Sequence, residues 1–240
     1  MVSIVPSQTE LLHYIGLEDE VIGITKFCIH PNEWWRKKTR VGGTKNIDLE
    51  AFRKLGPDLV LANKEENTKE QVEALAEFYD VYVSDVSNLD EAISMVMDIG
   101  LLTGKSVEAN LLAAGIKSAF RNIKPAEGLK VAYLIWQDPY MVAAGGTFIN
   151  HMLDVCGFTN VFKHLLRYPM VSLTQLQECD VVMLSSEPYP FGQKHLETIQ
   201  GQLTNQRVLL VDGEMFSWYG SRLLQAPAYF STLIASLQTK

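Results

Sequence analysis

The chain has 240 residues, 47% hydrophobic and 20% charged, and a formal net charge of -7, the make-up of a packed globular protein and not of a disordered or fibrous one. The excess of carboxylates argues against a nucleic-acid binder, because such proteins cluster Lys and Arg against the phosphate backbone. Cys28, Cys156 and Cys179 lack the spacing of a zinc cage or a disulfide framework and are expected as buried, small apolar residues.

In chain order, the opening MVSIVPSQTE has neither the basic nor the apolar region of a secretion signal, and no apolar run reaches the roughly 18 residues of a membrane span. The expected location is the cytosol if Met1 is the native start, and the periplasm or cell surface if a leader has been cut away. Short aliphatic runs then recur at Val2 to Val5, Val21 to Ile24, Leu59 to Ala62, Val81 to Val83, Val131 to Trp136, Val181 to Leu184 and Val208 to Val211. They predict buried parallel strands alternating with helices, hence an α/β fold. The first helix is predicted to open on a capping box, Ser7 to Glu10, ahead of Leu11, Leu12 and Ile15. The basic triplet Arg36, Lys37 and Lys38 is read as a solvated helix end.

SVEANLLAAGIKSAFRN, Ser106 to Asn122, is a helical pattern with no strand inside it. At 1.5 Å per residue it would span about 25 Å, enough to reach from one lobe to another. Two stretches echo each other around it. LEAFRKLGPDLVLANKEEN and LTQLQECDVVMLSSEPYP each read as a short helix, an Asp ahead of an aliphatic strand, and a polar strand end with a Glu. A Gly-Gly-Thr occurs in each half, at Gly42 and at Gly145. The economical architecture is two α/β lobes with parallel sheets, residues 1–103 and 125–240, bridged by one long helix within 104–124, with a ligand cleft between the lobes.

In parallel sheets ligands meet the carboxyl ends of strands, so the residues after each strand are the candidate site: Pro6 and Ser7; Lys26 and Phe27; Gly43; Glu66; Trp136; Gly145; Ser186, Glu187, Tyr189 and Phe191; and Trp218 and Tyr219. These tails mix aromatics with single hydrogen-bonding groups, which suits a broad, partly apolar ligand. For Trp136 and Trp218 a plain core role is an even alternative, and a simple strand-ending turn is the alternative for the prolines around Tyr189. No G-x-S-x-G elbow, P-loop or G-x-G-x-x-G is present, so triad hydrolysis and nucleotide chemistry are not indicated. The five histidines show no paired ligand spacing, so no protein metal site and no intrinsic cofactor are expected. A two-lobed cytosolic enzyme using Glu66, Glu187 or Asp212 as acid or base remains the alternative.

VSIVPSQTELLHYIGLEDEVIGITKFCIHP, VGGTKNIDLEAFRKLGPDLVLA, FINHMLDVCGFTNVF and VSLTQLQECDVVML resemble the class III solute-binding proteins of ABC importers for cobalamin and ferric siderophores, the helical backbone metal receptors. Pro-Ser-x-Thr-Glu and Asn-x-Asp-Leu-Glu followed by Pro-Asp-Leu-Val are the more specific matches. The resemblance implies binding without catalysis, a metal-chelate ligand such as cobalamin or a ferric siderophore, and little hinge motion. It also implies docking to a permease through a Glu on each lobe. Glu50 matches the first position; Thr174 stands at the second, which sets this chain apart from the family's usual permease partner.

Overall fold

The computed structural model describes residues 1–238. The chain divides into two compact units: Met1–Val86 with Glu91–Ile116 and Tyr219–Arg222, and Ser87–Asp90 with Lys117–Trp218 and the chain from Leu223 onward. In the first unit lie β1 (Val2–Ser3), β2 (Gly23–Ile24), β3 (Thr39–Arg40), β4 (Gly42–Gly43), β5 (Asn46–Ile47), β6 (Leu59–Asn63) and β7 (Asp80–Ser84). The second unit holds β8 (Lys130–Trp136), β9 (Met141–Val142), β10 (Thr159–Asn160), β11 (Val181–Ser185) and β12 (Arg207–Val211).

The expected parallel sheets are present. The first has the order β3-β2-β1-β6-β7 and the second β10-β8-β11-β12. Along these orders every pair is parallel, with Val2 opposite Val60 and Val182 opposite Ala132. β9 pairs antiparallel with β8, and β4 with β5 forms a separate hairpin. The two orders repeat one plan, since β1 and β8 are each flanked by a short strand on one side and by β6-β7 or β11-β12 on the other. β6 and β11 are the strands of the two echoing stretches, each preceded by a helix, Leu49–Leu55 or Leu173–Leu176.

Aliphatic residues fill both faces of the central strands because helices cover both sides of such a sheet; all five residues of β11 are buried. Val2, Ile4, Val41, Phe52, Val60, Ala62 and Leu75 form one cluster in the first unit. Leu134, Val142, Phe162, Val182, Leu184, Phe191 and Ile199 belong to another in the second. Each such side chain contributes about 1.5–3 kcal/mol when fully buried.

Two local expectations fail. The first helix, Pro6–Tyr14, starts on Pro6 with Val5 as N-cap and no side-chain cap. Proline suits the first helical position because its missing N–H would have no helical partner there. The capping box does not form, and Glu10 instead makes a two-point ion pair with Arg222 (Oε1–Nη2 2.7 Å, Oε2–Nε 3.1 Å). The long helix covers Ser106–Phe120 and buries Ala109, Leu112, Ala113, Ile116 and Phe120, while Val107 and Leu111 are exposed. The division of the chain into units falls inside this helix, after Ile116. Arg36 and Lys37 are exposed at a helix end, as expected, whereas Lys38 lies over the buried Trp34 ring.

Arg222 and Glu10 are only 11% and 19% exposed, so removing one partner leaves a charge short of both water and counter-ion. Arg222→Ala is expected to cost about 3 kcal/mol of unfolding free energy in urea titrations, and combining it with Glu10→Gln should recover part of the loss. A loss in the double variant equal to the sum of the two single losses would show that the pair is not coupled.

Candidate ligand-binding site

In the first unit the carboxyl edge is built from buried polar groups. Asn63, the last residue of β6, gives its side-chain N–H groups to the carbonyl and the hydroxyl of Ser84, the last residue of β7 (both 2.9 Å). Its side-chain oxygen accepts from the backbone N–H groups of Glu65 and Glu66 (2.8 and 3.3 Å). Gln8 Nε2 reaches the same Ser84 hydroxyl, and Asn67 donates to the carbonyls of Ile4 and Thr44. One amide network therefore ties the helix start, the β4–β5 hairpin and the 64–67 loop to the sheet. Thr9 Oγ1 lies 2.9 Å from Ser3 Oγ and 3.1 Å from Cys28 Sγ.

All three cysteines are buried and free. Burial pushes the Cys156 and Cys179 thiols up to about 12. Cys28 departs from a purely apolar role, because Thr9 and Thr25 both approach its sulfur.

Pro6 and Ser7 are buried within this edge. Phe27 is 51% exposed, with the Lys26 ammonium 5.1 Å over its ring. Gly43 lies beneath both, where a Cβ would come within 3.2 Å of Phe27. Glu66 is partly exposed yet densely surrounded. Burial is the main cause raising its carboxyl above the ordinary 4.5; Lys45 opposes the rise and Glu65 adds to it.

In the second unit an aromatic wall follows β8 and β11. Trp136, 41% exposed, meets Tyr189 edge-on at 5.5 Å, and Tyr189 lies 4.7 Å from Phe191. Ser185, the last residue of β11, accepts from the buried Tyr133 hydroxyl (3.1 Å) and donates to the Glu187 carbonyl (2.6 Å). Ser217 donates to the Glu187 carboxylate. Ser186 is exposed but accepts from the Gly213 N–H (2.9 Å). Gly213 is required there, since a Cβ would stand 2.5 Å from both Glu187 Cγ and Ser185 Oγ.

Several candidates fall in the interior: Phe191, Trp218 and Tyr219 are 6%, 7% and 4% exposed, which favours the core role for Trp218. Gly145 is buried against the backbone of Lys163 and Leu165. The two Gly-Gly-Thr stretches differ locally. The first turns the β4–β5 hairpin, with Gly42 at φ 97°, where an L side chain is strained. In the second, Thr147 caps the helix Phe148–Val155.

Sequence reasoning missed the Asn63–Ser84–Gln8 network and His195. The signal for His195 was available in Gly192-x-x-His195, where the third helical residue sits at the position from which a side chain reaches back to the cap. Gly192 N–H does donate to His195 Nδ1 (2.9 Å).

Among the described residues one cluster, His13, Glu18 and Glu33, brings three potential metal-ligating atoms within 4.8 Å of one another. Trp34 N–H holds Glu18 and His13 pairs with Glu33. No helix there is long and apolar enough to cross a membrane.

A family profile described as periplasmic binding protein matches residues 1–181. The chain belongs to the periplasmic binding protein family. An uncharacterized ABC transporter substrate-binding lipoprotein of Bacillus subtilis is 30% identical over 168 residues, 65% of this chain but only 52% of the relative. A vitamin B12-binding protein of Pectobacterium carotovorum is 22% identical over 247 residues, 99% of this chain and 88% of that one. The solved periplasmic vitamin B12 binding protein of Vibrio cholerae superposes with a TM-score of 0.79 at 20% identity, covering 100% of this chain and 97% of the other.

That kinship with binding proteins decides against the enzyme alternative. Glu66 has the raised carboxyl such an alternative needs, but Glu187 is engaged by Ser217 and Asp212 caps the helix Gly213–Ser217.

Between about 4.5 and the raised value, folded Glu66 holds a proton that the unfolded chain has released, so stability falls as pH rises through this window. Glu66→Gln is expected to flatten that part of the stability curve and raise stability at neutral pH, read from urea midpoints along a pH series. A variant curve parallel to wild type would contradict the assignment.

Proposed function

We propose that this periplasmic binding protein is the solute-binding component of an importer and carries a metal chelate, a corrinoid or a ferric siderophore. The observation that carries the reading is the half-exposed aromatic pair Trp136 and Tyr189 at the carboxyl edge of β8 and β11, in a chain whose relatives include vitamin B12-binding proteins. In the first unit the exposed Phe27, with Lys26 over its ring, offers an aromatic surface of the same kind. Rigid aromatic surface offers contact area at low entropic cost, and the fixed polar groups around it orient the ligand's oxygens.

Glu50 supports the docking half of the proposal. It projects from the helix Leu49–Leu55 with its side chain 73% exposed and pairs with the equally exposed Lys54 at 3.0 Å. Such a pair is worth a few tenths of a kcal/mol and yields easily to a permease arginine. Thr174 is exposed on the helix Leu173–Leu176 and offers no charge, so docking rests on one carboxylate. An import role would place the working chain outside the cytoplasmic membrane, and cell fractionation tests that.

Cyanocobalamin or a ferric hydroxamate at about 100 times its Kd should stabilise the fold by about 2.7 kcal/mol, a rise of several degrees in Tm. Trp136→Ala should weaken binding at least tenfold with little change in the ligand-free Tm, whereas Trp218→Ala should lower Tm itself. No shift with either probe well above micromolar would refute the ligand class. Glu50→Lys should abolish stimulation of importer ATPase while leaving ligand Kd unchanged; undiminished stimulation would remove Glu50 from the docking surface.

A further inference from the structure

His195 is the third residue of the helix Gln193–Gln200, and both its ring nitrogens are engaged. Nδ1 accepts the Gly192 N–H at 2.9 Å, and Nε2 lies 3.2 Å from the Tyr189 hydroxyl. The ring also packs 5.3 Å from Tyr189 and 5.7 Å from Phe191. A backbone N–H can only donate, so Nδ1 must carry the lone pair. A neutral imidazole has a single N–H, which is therefore on Nε2 and is donated to the Tyr189 oxygen. The phenol's own hydrogen is then left to point at another acceptor. The chain of contacts runs from Gly192 through His195 and Tyr189 to the exposed Trp136.

Protonation of the ring puts a hydrogen on Nδ1 and sets it against the Gly192 N–H. The surroundings do little to offset that conflict. Lys194 and Glu197 flank His195 on its own helix, with Glu197 held by Gln193 at 3.0 Å. From the turn joining β8 and β9, Tyr140 faces Tyr189 with Asp138 beside it. Among the described residues no carboxylate pairs with His195.

We propose that His195 is a positioning residue for ligand retention: when neutral it aims the Tyr189 hydroxyl as a donor at an oxygen acceptor on the chelate, and when protonated its Nδ1–H meets the Gly192 N–H head on, so the ring turns away from Gly192 and carries its Nε2–H off Tyr189. The proposal rests on the reading of the Trp136–Tyr189 wall as a ligand surface. Affinity then falls as acidification protonates the ring, because the charged imidazole has no lone pair left for the Gly192 N–H.

The test begins with the ligand-free protein. Heteronuclear NMR should find the Nε2–H tautomer of His195 at about pH 8, and the Gly192 amide should shift in step with the imidazole down to about pH 5.5. With cyanocobalamin or a ferric hydroxamate as probe, wild-type affinity should fall roughly fivefold over that range, the scale of one lost hydrogen bond. His195→Asn keeps an acceptor for Gly192 and cannot titrate, so its affinity should not change with pH. Tyr189→Phe should bind roughly fivefold more weakly than wild type at about pH 8 and equally at about pH 5.5. An Nδ1–H tautomer, a Gly192 amide indifferent to the titration, or a His195→Asn variant with the wild-type pH slope overturns the proposal. Failure of both probes to bind, with the NMR behaviour as expected, overturns the chelate reading alone and supports the His195–Tyr189 switch.

Discussion

Among the described residues five strands end on a buried hydroxyl or amide: β1 on Ser3, β6 on Asn63, β7 on Ser84, β10 on Asn160 and β11 on Ser185. The rest of the structure depends on how these groups are satisfied. Parallel pairing brings the carboxyl ends of all strands in a sheet to one edge, and the backbone that leaves that edge takes its N–H and C=O groups out of the ladder while still shielded from water. A buried polar group without a partner costs about 1–3 kcal/mol. Asn63, placed where its amide meets Ser84 on one side and the 65–66 backbone on the other, removes that cost and fixes the loop's path. Ser185 does the same in the second unit by bonding to both Tyr133 and Glu187.

Fixed loop paths give fixed side chains. Ser185, Ser186 and Ser217 engage the segment that leaves β11 from several directions, and Gly213 lets the neighbouring helix approach without a Cβ in the way. Phe191 turns inward and joins the core, so it anchors the loop instead of lining a surface. Tyr189, two residues earlier, remains half-buried between Trp136 and His195. The wall is thus a layered object, with an apolar anchor, a hydrogen-bonded phenol and an exposed indole. That order suits a binding protein, which needs a surface prepared before the ligand arrives.

Much of this was legible in the residues. Aliphatic runs of three to six marked every long strand, and the echo of LEAFRKLGPDLVLA in LTQLQECDVVML marked β6 and β11, which hold equivalent places in their sheets. The two-residue strands β3, β4, β5, β9 and β10 were not legible. Thr-Arg, Gly-Gly and Thr-Asn carry no apolar period and become strands only because a neighbour's ladder has open hydrogen bonds. The apparent capping box of Ser7 to Glu10 misled for a related reason. Its local pattern is sound, but Pro6 had already started the helix, and Arg222, more than two hundred residues away, supplied Glu10 with a stronger partner.

The sequence by itself determined the α/β alternation, the parallel sheets and the set of residues that follow the strands, because hydrophobic period and chain order are local properties written along the chain. It also held the motifs that place this protein among periplasmic binding proteins. Only the tertiary structure decided which of those residues face outward. Both Trp136 and Trp218 lie downstream of aliphatic runs, yet Trp136, ending β8, is 41% exposed and Trp218, following the helix Gly213–Ser217, is 7% exposed. Burial is settled by what packs on a side chain from distant segments, and so are the partners of Asn63, the buried pair Glu10–Arg222 and the raised carboxyl of Glu66.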